Sequence, residues 1–255
     1  MGERQPGSMI GNATWEIARR VVHPEVEGVQ NFAIAREHLK AGGSIIIYAN
    51  HRNGKMDTPL VGSVIEDHLT PLNHLGVFVS RRHVDSTIKL PKGLPNRIQH
   101  YLLVDKWGKS PGVTMIPIVQ PKDRDRYKKD WVEFNDEALN TALEFVKTPG
   151  NVFVVTPEGE RGEHELKKAG VGFAALFRDA RNIALAMPIA IPYSTSKVIA
   201  GTPFSWSDAM EDHRLNPNIR IKDRMMVRLA LLLPRENRGA YAQMATEFVM
   251  PPAVN

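Results

Sequence analysis

The 255-residue chain contains no cysteine. That absence removes disulfide frameworks, thiolate metal sites and cysteine nucleophiles. A nucleophile or base must then be Ser, His, Asp, Glu, Lys or Tyr. No run approaches the roughly 18 consecutive apolar residues of a spanning helix, so the protein is not expected to cross a bilayer. The first twenty residues, MGERQPGSMIGNATWEIARR, lack an apolar central region and a small-residue cleavage site, and Pro6 stands where a myristoylation signal has Ser or Thr. Neither secretion nor N-terminal lipidation is expected. No Gly-x-Ser-x-Gly elbow occurs, which argues against a serine hydrolase on an α/β scaffold.

What is present is a basic chain large enough to bury a core. Hydrophobic residues make up 42% and charged residues 24%, as expected of one globular domain over residues 1–255. Lys and Arg number 33 against 28 Asp and Glu, a formal charge of +5, which suggests an anionic partner. The excess is local. From Arg81 to Trp131 there are twelve Lys or Arg and five Asp, a segment of +7, so the remainder sums to −2. Aromatics within it are sparse (Tyr101, Trp107, Tyr127, Trp131) and no nucleic-acid-binding motif appears, so no nucleic-acid partner is expected. A solvated basic face remains an alternative.

Short β-branched or apolar runs predict buried strands at Ser44–Ala49, Leu75–Ser80, Val113–Val119, Asn151–Val155 and Ala184–Ile191. Helical spacing predicts helices at Asn31–Lys40, Thr58–His68, Trp131–Lys147 and Glu165–Ala180. Alternation of this kind predicts an α/β fold with a mostly parallel or mixed central sheet flanked by helices. Arg81 to Pro111 is long for a connection and rich in Pro, Gly and Lys, as functional loops often are. Met225 to Pro234, MMVRLALLLP, at about ten residues reads as a core-facing helix in preference to an interfacial membrane helix. Residues 201–255 carry Arg224, Arg228, Arg235 and Arg238 near apolar positions, which fits either closing the core or touching lipid.

In open α/β sheets chemistry collects beyond the carboxyl ends of the strands. After Ser44–Ala49 come Asn50, His51 and Arg52, with Asp57 further on. A histidine with a nearby carboxylate forms a pair in which Asp fixes the tautomer and stabilises the imidazolium that develops as His takes a proton. After the fourth strand come Thr156, Pro157, Glu158, Gly159, Glu160, Arg161 and Gly162. Such a tight turn suits a polyol and a phosphate, or is an ordinary charged turn. After the third strand come Gln120, Pro121, Lys122, Asp123, Arg124, Asp125 and Arg126. Its cations could hold a phosphate or form self-neutralising surface pairs.

Taken in order, Asn-His-Arg with Asp57, the basic segment after Ile116-Pro117-Ile118, Pro157-Glu158-Gly159-Glu160-Arg161, and Met187-Pro188-Ile189-Ala190-Ile191-Pro192 resemble the four blocks of the glycerolipid acyltransferases, the lysophosphatidic acid and glycerol-3-phosphate acyltransferases. The resemblance runs from about Val22 to Ser194, leaving 201–255 as a C-terminal extension. It implies an acyltransferase-like fold and an O-acyltransferase, most simply a 1-acylglycerol-3-phosphate acyltransferase, in which His51 is the general base and Asp57 orients it. Lys122, Arg124, Arg126, Glu158, Gly159 and Arg161 would bind the phosphate-bearing lipid acceptor. The co-substrate would be acyl-CoA or acyl carrier protein, with no metal and no other cofactor. The protein would be cytoplasmic and peripheral on an anionic membrane surface, and Arg81 to Lys109 would meet that surface or the acidic carrier that delivers the acyl chain.

Two features depart from the family pattern. Four residues separate His from Asp in the family, whereas five lie between His51 and Asp57, and Met56 occupies the family's acid position. In a regular helix the added residue would turn Asp57 by about 100°; in a loop containing Gly54 it can bulge out and leave the pair intact, which is the expectation. Gln120 stands where the family has Arg. Phosphate binding would then pass to Lys122, Arg124 or Arg126, or the acceptor is an unusual one. A catalytically impaired relative acting on another acceptor is the alternative these departures leave.

Overall fold

The computed structural model describes residues 24–52, 57–70, 72–81, 112–127 and 130–249, with backbone alone at 58 and 59. Of the basic segment, Arg82 to Pro111 and Lys128 and Lys129 lie outside these residues, as do Asn53 to Met56.

Seven strands form one sheet: β1 (Val26–Glu27), β2 (Ser44–Ala49), β3 (Leu75–Ser80), β4 (Val113–Ile118), β5 (Val152–Val155), β6 (Ala184–Ala190) and β7 (Val198–Ala200), in the order β1-β7-β6-β2-β5-β3-β4. The five strands from β6 to β4 are mutually parallel. At the other edge β7 pairs antiparallel with β6, and β1 runs parallel to β7. The fold is therefore α/β with a mostly parallel, mixed sheet. The five long strands match their expected positions to within a residue at each end. β1 and β7, of two and three residues, are too short to leave a pattern in the sequence.

β2 is central, and all six of its residues are buried. Because side chains alternate across a strand, Ile45, Ile47 and Ala49 enter one core while Ile46 and Tyr48 enter the other. The first core is closed by α1 (Val29–Lys40) and α2 (Asp57–Leu69), through Phe32, Ala35 and Leu39 and through Leu60, Val64 and Leu69. The second is closed by α4 (Trp131–Lys147), which follows the short α3 (Arg124–Tyr127), and by α5 (Gly172–Asp179), α6 (Trp206–Leu215), α7 (Ile221–Leu232) and α8 (Ala242–Glu247). α7 buries Met225, Met226, Val227, Leu229 and Ala230, and its Met225 carbonyl accepts from the Tyr48 hydroxyl at 3.0 Å. This stretch of the C-terminal region closes the core. Among the described residues no helix is long and apolar enough to cross a membrane.

One expectation needs correction. The helix predicted from Glu165 begins only at Gly172. The backbone before it bonds to other segments: Leu166 N–H to the Asn237 carbonyl at 3.0 Å, Lys167 N–H to Glu158 at 2.7 Å, Ala169 N–H to the Tyr241 hydroxyl at 2.8 Å and Gly170 N–H to the Pro157 carbonyl at 2.9 Å. With those donors engaged elsewhere, the apolar spacing of 165–171 cannot become a helix.

Connections place the crevice. The chain leaves β2 for α2 on one face of the sheet, and leaves β5, its neighbour, for α5 on the other. Adjacent strands whose exits diverge to opposite faces open a cleft at their carboxyl ends. Tyr48 lies beside Val155, and Ala49 beside Ile189, so the loops starting at Asn50, Thr156 and Ile191 emerge side by side.

Candidate active site

Asn50 closes the end of β2. Its Nδ2 donates to the Ile191 carbonyl at 2.9 Å and its Oδ1 accepts from Ile191 N–H at 2.7 Å, so the side chain extends strand pairing by one rung. His51 follows at the mouth of the cleft. Its backbone carbonyl accepts from Gly162 N–H at 2.7 Å and its N–H donates to Glu158 Oε1 at 2.8 Å. The ring then sits with Nδ1 at 3.2 Å from Asp57 Oδ2, the imidazole one-fifth exposed and the carboxylate almost wholly buried.

Asp57 is the first residue of α2. A carboxylate there gains from the helix dipole. The pair forms despite the five-residue spacing; Asn53 to Met56 lie outside the described residues. The second oxygen of Asp57, Oδ1, accepts from Arg52 Nε at 2.9 Å.

Glu158 is 4% exposed. Oε1 accepts from His51 N–H and Oε2 from Lys167 N–H at 2.7 Å, so the side chain ties the β2 loop to the segment before α5. Burial pushes its carboxyl up to about 7, against the pull of those two N–H donors and of the Lys167 charge. Lys167 itself reaches Glu160 at 3.2 Å. Gly159 has φ +68°, the left-handed region that favours glycine, and a Cβ there would meet Pro121 Cδ at 3.5 Å. The loop after β4 thus packs against the loop after β5. Gly162 is required by close approach: a Cβ would lie 2.5 Å from the Glu165 carbonyl oxygen and 2.7 Å from the Tyr193 hydroxyl. That hydroxyl is buried, and burial raises the phenol's pKa.

The structure therefore brings His51, Asp57, Glu158 and Gly159 into one cluster, with half-buried Arg161 in the same turn. Lys122, Arg124 and Arg126 are exposed on the segment that follows β4, the two arginines on α3. Arg124 lays its guanidinium over the Trp131 ring at 4.2 Å, and buried Asp123 accepts from the Ser80 hydroxyl at 3.2 Å, which fixes that segment to the end of β3. Sequence reasoning did not foresee Arg52 as Asp57's partner, the bridging position of Glu158, or Tyr193. The adjacency of Arg52 to His51 was the available signal. For Glu158 it was the tight Pro-Glu-Gly turn, which turns a side chain back beneath its own loop.

No protein-family model matches the chain, and no curated protein matches its sequence. What the geometry defines is a chemical arrangement: an imidazole oriented by a carboxylate, in a cleft at the carboxyl ends of parallel strands, with cations on the adjoining loop.

Proposed function

We propose that the chain is a thioester-dependent O-acyltransferase, with a glycerol-phosphate or lysophospholipid hydroxyl as acceptor and acyl-CoA or acyl carrier protein as donor. The observation that carries this reading is the His51–Asp57 pair at 3.2 Å, with the imidazole partly open at the end of β2. The ordered motifs that resemble the glycerolipid acyltransferases add to it.

In this mechanism Asp57 accepts a hydrogen bond from Nδ1–H and holds the tautomer in which Nε2 is the base. Nε2 takes the proton of the acceptor hydroxyl as its oxygen attacks the thioester carbonyl carbon. The tetrahedral oxyanion collapses, the carbon–sulfur bond breaks, and the imidazolium returns its proton to the thiolate, giving ester and thiol. A thioester is already activated, so positioning and charge stabilisation supply the rest. Glu158 acts through the loop it braces, Gly159 and Arg161 present that loop to the acceptor, and Lys122, Arg124 and Arg126 offer charge to its phosphate. The basic segment favours attachment to an anionic membrane surface.

The test is thiol release from long-chain acyl-CoA and acyl carrier protein thioesters with glycerol phosphate, lysophosphatidate and other lysolipids. Wild type is expected to release thiol with at least one acceptor, and His51→Ala and Asp57→Ala to lose it. Absence of release from wild type with every acceptor would sink the reading, as would full activity in His51→Ala.

A further inference from the structure

Arg52 makes contacts in two directions. Nε donates to Asp57 Oδ1 at 2.9 Å, while Nη1 donates to the Pro192 carbonyl at 2.9 Å and to the Thr195 carbonyl. Its backbone is bridged to Gly162, and its side chain is only 12% exposed. Of the two bonds that Asp57 accepts, the one from Arg52 is the shorter. Five intervening residues do not of themselves direct a helix-opening carboxylate at an imidazole. A planar guanidinium held from behind by two carbonyls does, because its donors leave the plane at fixed angles.

We infer that Arg52 is a positioning residue that holds the Asp57 carboxylate within reach of His51, and that it couples the pair to the Pro192–Thr195 turn. Its effect on turnover rests on the proposed reading of His51 as base; the geometric part does not. The competing assignment, a phosphate ligand for the acceptor, is disfavoured by the near burial of the side chain and by its three bonds to protein.

The experiment compares wild type, Arg52→Lys and Arg52→Gln. Lysine keeps the charge without the fork, and glutamine removes the charge as well. The first readout needs no activity: the downfield proton resonance of the His51 Nδ1–H bonded to Asp57, assigned by its loss in His51→Ala, with thermal unfolding followed in parallel. We expect the resonance in wild type and its loss or exchange broadening in both variants while each remains folded. An unchanged resonance in folded Arg52→Gln overturns the inference. The second readout is thiol release, where kcat is expected to fall about 10- to 100-fold with the acceptor KM unchanged. A rise in acceptor KM with kcat intact would reassign Arg52 to acceptor binding and also overturn it. If wild type releases no thiol, the reading of His51 as base fails, and the resonance alone decides the role of Arg52. Should Arg52→Gln not fold, Arg52→Lys carries both readouts.

Discussion

Asp212 and Asp57 are both buried and both paired with an arginine, and their different settings separate chemistry from scaffolding. Asp212 on α6 is 1% exposed, and both its oxygens are taken by Arg228 of α7, at 2.6 and 2.9 Å. Arg228 also lies over the Phe204 ring at 4.4 Å. Beside it, buried Arg224 donates to His213 Nδ1 and to the Asn216 carbonyl. Asp57 divides its oxygens between Arg52 and His51, and that imidazole is partly exposed. A bidentate pair closed on both sides joins two helices. A carboxylate with one oxygen on a histidine leaves a group able to move a proton.

The largest expected effect tests that contrast on activity. His51→Ala should lower thiol release by about 10²- to 10⁴-fold, the span of a general base, with little change in thermal unfolding. Asp212→Asn should act in the opposite sense. It leaves Arg228 buried without its counter-charge and should cost about 3–5 kcal/mol in urea unfolding, with turnover of the remaining folded protein intact. Loss of turnover per folded molecule in Asp212→Asn would break the comparison.

Glu158 gives a pH signature. Burial pushes its carboxyl up to about 7 in the folded chain, from the ordinary 4.5. Between those values the folded chain keeps a proton that the unfolded chain has released. The contribution is thus fully present below about 4.5 and is lost as pH rises through about 7, with a slope of at most about 1.4 kcal/mol per pH unit. Urea unfolding of wild type and Glu158→Gln across this range should show the variant without that slope. A wild-type stability that rises through the same window, with Glu158→Gln parallel to it, would contradict the buried setting of Glu158.

Smaller effects follow at the margins of the cleft. Gly162→Ala puts a methyl group against the Glu165 carbonyl and the Tyr193 hydroxyl, and should destabilise by about 1–3 kcal/mol, measured by denaturant midpoint. Arg124→Ala removes an exposed stack on Trp131 and should change stability by no more than about 1 kcal/mol. A larger loss would mean that the loop after β4 is held chiefly by that stack, and not by the Ser80–Asp123 bond and the packing of Pro121 on Gly159.

The long strands were legible because each is an apolar or β-branched run with turn residues at its ends, and in β2, β5 and β6 burial on both faces removes any need for alternation. The seven residues from Glu165 to Val171 misled because apolar spacing records which side chains are buried, and says nothing about which carbonyls the backbone donors find. The helix Trp206–Leu215 is polar along much of its length and left no stripe. Its capping box, Ser205 with Asp208, was the readable mark. At the cleft, the histidine and its carboxylate could be picked out from their place after a strand. Arg52 had only its place beside His51 as a signal, because two of its bonds reach residues 140 and 143 positions away that only the sheet brings near.

The pair of hydrogen bonds between Asn50 and Ile191 has a consequence for local opening. Ile191 lies beyond the last residue of β6, where amides ordinarily exchange with solvent within the fluctuations of a loop. Clasped at 2.7 Å by Asn50 and wholly buried, its amide should instead exchange as slowly as those of the central strands. The cleft's floor and the turn that anchors Arg52 would then open only when the sheet itself does, which makes the deuterium uptake of one loop amide a gauge of how rigidly the imidazole is held.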